Sequence, residues 1–405
     1  MKAAFEHQES ADVAIIGGGL AGLTAAAVVA ESGKRPVIYE RHQTLGGDAR
    51  SSVHECFTFN QGPHALYRGG AAERIFGELG VAIRGGVPPV KGRIVFGEQS
   101  YIAPADPLTL LQTAALGVRD KIEVGKVLGA VPKLRPDQLG AKSVSEWIAD
   151  LVTREPPRQL LHLIVRLATY GNHPEEMSAE VAATQVQLAL GPGVLYLHGG
   201  WQTLVDQLTA KLEIPAVRGQ PISELPDAPA VIIAGGGPAL AAKLLRRNFD
   251  AGPAAEVSCL DLGLRRCPEH SVVLGADTPF YFSNHSAVAD LAPAKQYCAG
   301  VLQYLGPNDT PDAERIRDFA RHAGVRDDDI VHQRRLHRMT AVSAVATAEQ
   351  GGLSGRPNVT DTGVDNVFIA GDWVGPEGHL ADAAIASGKA AALAAVRRVE
   401  NLLAT

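Results

Sequence analysis

The sequence predicts an α/β fold: a parallel sheet in one domain, interrupted by a second, α+β domain. Three stretches predict it. "DVAIIGGGLAGLTAAAVVAESGKRPVIYE" near the start reads strand, glycine turn, helix, strand. "VIIAGGGPALAAKLL" (231–245) repeats strand, glycines and helix in mid-chain, and "VFIAGDW" with a small-residue helix behind it closes the chain. A parallel sheet needs such crossovers and reads as continuous apolar runs.

The first stretch carries no charge from Val13 to Ala30, long enough to raise a bilayer span. Gly17, Gly18, Gly19 and Gly22 near its centre argue against a membrane helix, each costing roughly 0.8–1 kcal/mol relative to alanine. The acidic flank Glu6, Glu9 and Asp12 argues against a signal peptide. Val13–Ile16 instead reads as a buried strand, Gly17-x-Gly19-x-x-Gly22 as its turn, and Leu23–Ser32 as a helix ended by Gly33. Pro36–Tyr39 is the next strand and delivers Glu40. This unit is a Rossmann-like diphosphate site. Gly17 permits the tight turn, Gly19 the close approach of backbone to pyrophosphate, and Gly22 the close packing of helix on strand. The helix N-terminus supplies free N–H groups. Glu40 can accept from a ribose 2′-hydroxyl and would repel a 2′-phosphate, which argues against NADP.

The 405 residues suit two domains. A net charge of −6 makes nucleic acid an improbable partner. Cys56, Cys259, Cys267 and Cys298 contain no C-x-x-C pair, which excludes a dithiol centre and points to a reducing cytoplasm. No histidine pair shows metal spacing, and none is expected to hold a metal.

In "ERHQTLGGDARSS", Gly46-Gly47-x-x-Arg50 follows the acid and adds a second close backbone approach and a phosphate-neutralising fork. With these residues the chain resembles the flavin amine oxidase / phytoene desaturase superfamily. The resemblance implies a glutathione-reductase-like, amine-oxidase-type domain with FAD extended along the sheet. It places the cofactor against Gly17, Gly19, Leu20, Ala21 and Gly22, then Glu40 and Arg41, then Gly46, Gly47 and Arg50. At the far end, Gly371-Asp372 matches the family's turn, whose acid bonds the ribityl–pyrophosphate region. Asp382-Ala-Ala-Ile-Ala-Ser-Gly388 matches the segment that aims a helix N-terminus at the flavin, beginning at Ala381.

Three further matches extend the likeness over nearly the whole chain. "FNQGPHALY" (59–67) corresponds to the segment beneath the flavin, which puts Gly62, Pro63 and His64 at the ring. "GVLYLHGGWQTLVDQL" (193–208) corresponds to the return to the FAD domain, and "IPAVRGQPISEL" to the strand whose Val217 flanks adenine. "HGGWQTLVDQL" and "AGDW" resemble the desaturase and squalene-dehydroxylase branch most closely. His64 and Trp373 are the candidate flavin-side catalytic residues; Trp201 and Trp147 read as packing. Gly235-x-Gly237 could open a second dinucleotide site, but Leu240 occupies the third glycine position, so a strand rejoining the first sheet is the preferred reading.

The resemblance implies an FAD-dependent oxidoreductase that takes a hydride from a largely apolar small molecule. The alternatives are an amine oxidase releasing peroxide and a non-catalytic binder like Rab GDP-dissociation inhibitors. The domain plan is FAD-binding at 1–84, helical substrate domain at 85–199, FAD-binding at 200–254, a substrate sheet at 255–335, and FAD-binding at 336–405. Within it, Asp106-Pro107 and Ser143–Glu146 are helix starts, and 158–170 is a buried helix. No basic amphipathic helix with exposed tryptophans is evident. That favours a soluble enzyme and leaves peripheral membrane contact open.

Overall fold

The computed structural model describes residues 11–89, 91–210 and 216–404. Glu6 and Glu9, and the start of the predicted strand at 214–215, lie outside these residues. Five short strands form one parallel sheet: β1 Val13–Ile16, β2 Pro36–Glu40, β3 Ala216–Arg218, β4 Ala230–Ile233 and β5 Val367–Ile369, in the order β3-β2-β1-β4-β5. Val13 pairs with Pro36 on one side and Ala230 on the other, and Ile233 pairs with Ile369. Every residue of β1 and β4 is buried, as a sheet covered on both faces requires.

Five helices shape the cavity and one corner of the surface: α1 Leu20–Glu31, α2 Ala71–Glu78, α3 Pro107–Gln112, α4 Val118–Ala130 and α5 Ala381–Leu403. Helix α1 starts three residues earlier than the sequence suggests, with Gly19 as N-cap, and ends before Gly33 at φ +72°. Helices α1 and α5 cross closely on one face of the sheet. A Cβ at Gly388 would lie 2.4 Å from the Ala21 carbonyl oxygen, so only glycine admits this approach.

A seven-stranded sheet roofs the parallel one, in the order 330–342, 255–264, 297–305, 280–284, 272–275, 93–96, 99–102. Two expectations change here. The excursion at 85–199 is not wholly helical: Arg93–Phe96 and Gln99–Ile102 form a hairpin that extends the roof, because "RIVF" and "QSYI" flank a turn at Gly97, φ +58°. The strand Ile330–Val342 also runs past residue 335, so the roof ends seven residues later than the sequence placed it. Both predicted helix starts form. Asp106 accepts from the Thr109 N–H at 2.8 Å, and Ser143 with Glu146 makes the reciprocal capping pair at 3.2 and 2.8 Å. No described helix is long and apolar enough to cross a membrane.

Candidate functional site: a cavity between sheet and roof

The strand ends of the parallel sheet leave Gly17, Gly235 and Gly371 side by side at one rim, as open α/β sheets do at their carboxyl edge. A Cβ on Gly17 (φ +108°) would stand 2.7 Å from the Gly235 Cα, and one on Gly22 would stand 1.9 Å from the Gly17 carbonyl oxygen. The first contact keeps a cleft open between two turns; the second seats α1 directly on β1. A third turn joins them where Gly46 N–H donates to the Gly18 carbonyl at 2.7 Å. The outcome is one cavity of ≈ 620 Å³.

Glu40 ends β2 and is buried. Its Oε2 accepts from Gly18 N–H at 2.7 Å and its Oε1 from His42 N–H at 2.8 Å, which fixes the carboxylate in place at the cavity wall. Arg50 donates to neutral acceptors: Gly47 O at 2.9 Å, Thr44 Oγ1 at 3.3 Å and Gln61 Oε1 at 3.2 Å. Among the described residues no carboxylate within bonding reach cancels its charge, so a phosphate could. Gly19, the N-cap of α1, has no side chain to bond the first N–H groups of that helix, and Gly19, Leu20 and Ala21 line the cavity. An unsatisfied helix N-terminus beside an arginine that bonds no carboxylate, and that acts only through space on the buried Asp48 carboxyl, suits a diphosphate.

At the opposite end, Asp372 accepts from Ser343 N–H at 2.8 Å with Oδ2. Burial raises its pKa against that bond. The carboxylate sits deep in the fold, and the surface it still exposes belongs to the cavity wall. Such a group suits hydroxyl donors and rejects phosphate. Ser387 on α5 clasps Gly371, accepting from its N–H at 2.9 Å and reaching its carbonyl at 2.8 Å, so the Ser-Gly pair of the C-terminal motif fixes the turn and the helix crossing. Leu380, Ala381 and Ala384 bring the α5 N-terminus to the cavity.

Of the predicted cofactor residues, Gly17, Gly19, Leu20, Ala21, Glu40, Arg41, Gly46, Gly47, Arg50, Pro63, Gly371, Asp372 and Ala381 line this one cavity. Gly22 lies behind it, as its packing role requires. Gly62 also lies behind, where a Cβ would meet the Asp48 carbonyl at 2.6 Å. Val217 pairs with Tyr39 in the sheet, and Gln220, Pro221 and Ile222 beyond it reach the cavity. Asp382 departs most from expectation. Its Oδ1 accepts from Ala72 N–H at 2.6 Å, so its side chain caps α2, and a Cβ at Gly70 would collide with it. The glycines at 235–237 belong to the same cavity, and their strand rejoins the sheet as β4. Ser343 was missed, because its backbone N–H acts and a backbone donor leaves no signal in a sequence.

His64 and Trp373 lie in different surroundings. Trp373 is buried at the sheet end of the cavity, edge-on to Phe249 at 5.2 Å. His64 turns up into the roof, with its ring 3.8 Å from that of His285. Asn60 fixes its tautomer: the amide oxygen accepts from Ser51 Oγ and Trp201 N–H at 2.7 and 3.1 Å, so the amide nitrogen donates to His64 Nδ1 at 3.2 Å and leaves the proton on Nε2. Trp201 also donates from Nε1 to the His64 carbonyl at 3.2 Å and lines the cavity, which is more than packing. Burial drives both imidazoles to the neutral form, His64 well below the usual range and His285 to about 3. Beside them Tyr196 shares hydrogen bonds with Tyr281 and Ser283 at 2.7 and 3.1 Å. Arg334, on the roof, donates to Asp261 at 2.9 Å, to Ser52 at 2.8 Å and to the Asn60 carbonyl, tying the His64 turn to the sheet above. Among the described residues no cluster of three or more His, Cys, Asp or Glu could hold a metal ion.

A family profile described as an NAD(P)-binding Rossmann-like domain matches residues 15–79. Solved structures match the whole architecture. Cyclohexylamine oxidase from Brevibacterium oxydans is 16% identical with a TM-score of 0.70, covering 97% of this chain and 100% of its own. An oxidoreductase from Methanosarcina mazei is 15% identical with a TM-score of 0.68, over 94% and 99%. Putrescine oxidase bound to putrescine is 14% identical with a TM-score of 0.72, over 98% and 100%. Among curated proteins none matches. The fold is therefore that of the amine-oxidase-type α/β oxidoreductases, with a Rossmann-like domain at its start.

Proposed function

We propose that this chain is an FAD-dependent oxidoreductase of the dehydrogenase or desaturase type acting on a neutral, largely apolar small molecule. One observation carries the reading. A single cavity runs from Glu40 past the α1 N-terminus and Arg50 to Asp372 and the α5 N-terminus, and its donor set changes along its length as a dinucleotide's chemistry does. Glu40 would accept from the adenosine ribose, Arg50 and the α1 N–H groups would hold the diphosphate, and Asp372 would accept from ribityl hydroxyls. The ring would then lie by Pro63 and the α5 N-terminus. When bound, FAD supplies the two-electron acceptor for C–H oxidation.

The chain's own part is to position substrate and exclude water. The roof offers two neutral imidazoles and a tyrosine cluster, and its buried carboxylate Asp261 is committed to Arg334. Among these roof residues no free carboxylate is left to pair an ammonium ion, which supports an uncharged substrate. Two of the structural neighbours are amine oxidases by name, so amines are the comparison to run. The purified chain should carry or take up FAD, and Glu40→Ala with Asp372→Ala should abolish retention. An anaerobic screen of neutral apolar compounds against amines should reduce the bound flavin with the former. A chain that takes up no FAD, or whose flavin is reduced by amines alone, overturns the reading.

A further inference from the structure

Arg356 is a buried cation that no carboxylate bonds. It is 6% exposed, and its Nη1 donates to the Gly378 carbonyl at 2.9 Å. Its Nε and Nη2 are buried without a partner. A guanidinium held in the interior by one neutral acceptor is costly. Burial accordingly pulls its pKa down to about 10, against the attraction of Asp372 and Glu180. A buried polar group in this state has to be explained by what surrounds it.

Arg356 stands beside a loop that both ends of the cavity wall depend on. The loop 371–380 joins β5 to α5, and Asp372 near its start and Leu380 at its end line the cavity. The segment 356–359 runs along β5 and this loop and bonds them at three points. Val359 O accepts from Ile369 N–H and Pro357 O from Gly375 N–H, both at 2.9 Å. The third bond is that of Arg356 to Gly378. The first two join backbone to backbone and survive a change of side chain; the third belongs to Arg356 alone. Two residues beyond it, Leu380 takes φ +53° as the N-cap of α5. A leucine keeps that conformation only where its surroundings fix it.

Two carboxylates face the guanidinium through space. Glu180, on the helix Ala179–Leu190, is already engaged, its Oε2 accepting from Leu353 N–H at 2.8 Å. Asp372 gives Oδ2 to Ser343 N–H and stands in the cavity wall. Burial pushes the Asp372 carboxyl toward its neutral form, the Ser343 bonds and Arg356 pull it back, and Asp48 in the same cavity opposes them. His379, also near Arg356, is held neutral by burial, with its pKa down to about 3. The unbonded cation therefore acts on the acid whose charge the ribityl end of the site needs.

We propose that Arg356 is a positioning residue for the ribityl end of the cofactor site. It ties down the loop before α5 and supplies the positive charge that keeps Asp372 a carboxylate. Arg356 does not line the cavity, so it acts through Gly378 and Asp372. The consequence for cofactor binding rests on the FAD reading above; the coupling of Arg356 to Asp372 does not.

The test is a double-mutant cycle of Arg356→Met and Asp372→Asn, read by urea unfolding of the full chain freed of flavin, at pH 8 and pH 4. At pH 8 the two changes should couple by at least about tenfold in the unfolding constant. At pH 4, where Asp372 is largely neutral, the coupling should fall within about twofold. Glu180, Asp48 and His379 are present in every arm and cancel. Arg356→Lys keeps the charge at similar volume and should restore the coupling at pH 8. Flavin retained per chain gives a second readout as pH is lowered. Arg356→Met should lose half its flavin at a pH about one unit or more above wild type, and Arg356→Lys should follow wild type. Coupling that is absent at pH 8, or equal at both pH values, overturns the proposal. So does equal behaviour of the Met and Lys variants, which marks a packing role alone. A chain that takes up no FAD overturns the reading of function and leaves the cycle to decide this proposal.

Discussion

At the sheet end of the cavity a buried carboxylate is held by backbone N–H groups, and under the roof one is held by a guanidinium. Glu40 accepts from Gly18 and His42 and lines the cavity. Asp261 spends its charge on Arg334. Burial pushes the Asp261 carboxyl up, opposed by its partner. The difference separates a carboxylate left available in a cavity wall from one spent as a strut. At the sheet end, glycines whose Cβ atoms would collide with neighbouring backbone shape the wall, and Arg50 bonds no carboxylate while Asp48 beside it is held by burial and through-space attraction alone. Under the roof, large side chains fill the space, charges cancel, and two further titratable groups, His64 and His285, are neutral. The first arrangement suits an anionic cofactor; the second excludes water and holds its ceiling fixed.

The sharpest way to break this contrast is Gly22→Ala. The added methyl would lie 1.9 Å from the Gly17 carbonyl oxygen, so α1 must lift from β1 and carry the diphosphate N–H groups with it. A loss above about 4 kcal/mol in urea unfolding is expected, with flavin content per chain falling at least about tenfold, equivalent to ~1.4 kcal/mol or more in retention. Gly33→Ala in the same unit is the control. It has positive φ, but nothing stands within 4 Å of its Cβ, so only the left-handed backbone is penalised, at about 1–2 kcal/mol, and flavin content should hold.

That experiment also shows why one end of the molecule could be read from sequence and the other could not. Backbone collisions at Gly17, Gly22 and Gly388, and a backbone at φ +118° at Gly46, admit one residue type, so these positions leave a mark at fixed spacing. The acid at the end of β2 has a fixed place because the Gly18 and His42 N–H groups bond it there. The roof is assembled from Asn60, Trp201, Asp261, His285 and Arg334, drawn from distant parts of the chain, and no spacing relates them. Several side chains could play each part. The neutral His64–His285 pair depends on burial from both sheets and is invisible until the sheets meet. Asp382 shows the opposite failure. It sits where a motif places a cofactor residue, yet packing turns it toward α2, and a motif fixes position along the chain but not the direction of a side chain.

Breaking the roof should give the next largest effect. Arg334→Met leaves Asp261 buried without its partner, and removal of one member of a buried pair costs about 3–5 kcal/mol. Arg334→Met combined with Asp261→Leu removes both charges and should recover most of that loss, as apolar replacements of buried pairs do. If the roof is a strut, both variants keep flavin within about twofold of wild type once folded, because neither Arg334 nor Asp261 lines the cavity. Chemical denaturation followed alongside flavin absorbance reads both quantities. Loss of flavin in the double variant, with stability restored, would assign Arg334 to the cofactor and dissolve the contrast.

The smallest expected effect belongs to Asp382, which lies next to the cavity but faces away from it. Burial raises its carboxyl from 3.8 to about 6, opposed by the bond from Ala72 N–H. Because the native pKa lies above the unfolded one, the folded chain binds more protons between about pH 4 and pH 6. Stability contributed by this group is therefore complete at low pH and declines as pH rises through about 6. In Asp382→Asn the side-chain amide oxygen would still accept from Ala72 N–H, but the group could not ionise. The variant should thus gain on wild type between about pH 4 and pH 7, by on the order of 1–3 kcal/mol in unfolding free energy, with flavin content unchanged at both. The pH dependence of the difference distinguishes this from a generic packing change, which would shift both values alike. A variant that shows no such trend and sheds its flavin would place Asp382 at the cofactor after all, and would extend the uncancelled charges of the sheet end to the first turn of α5.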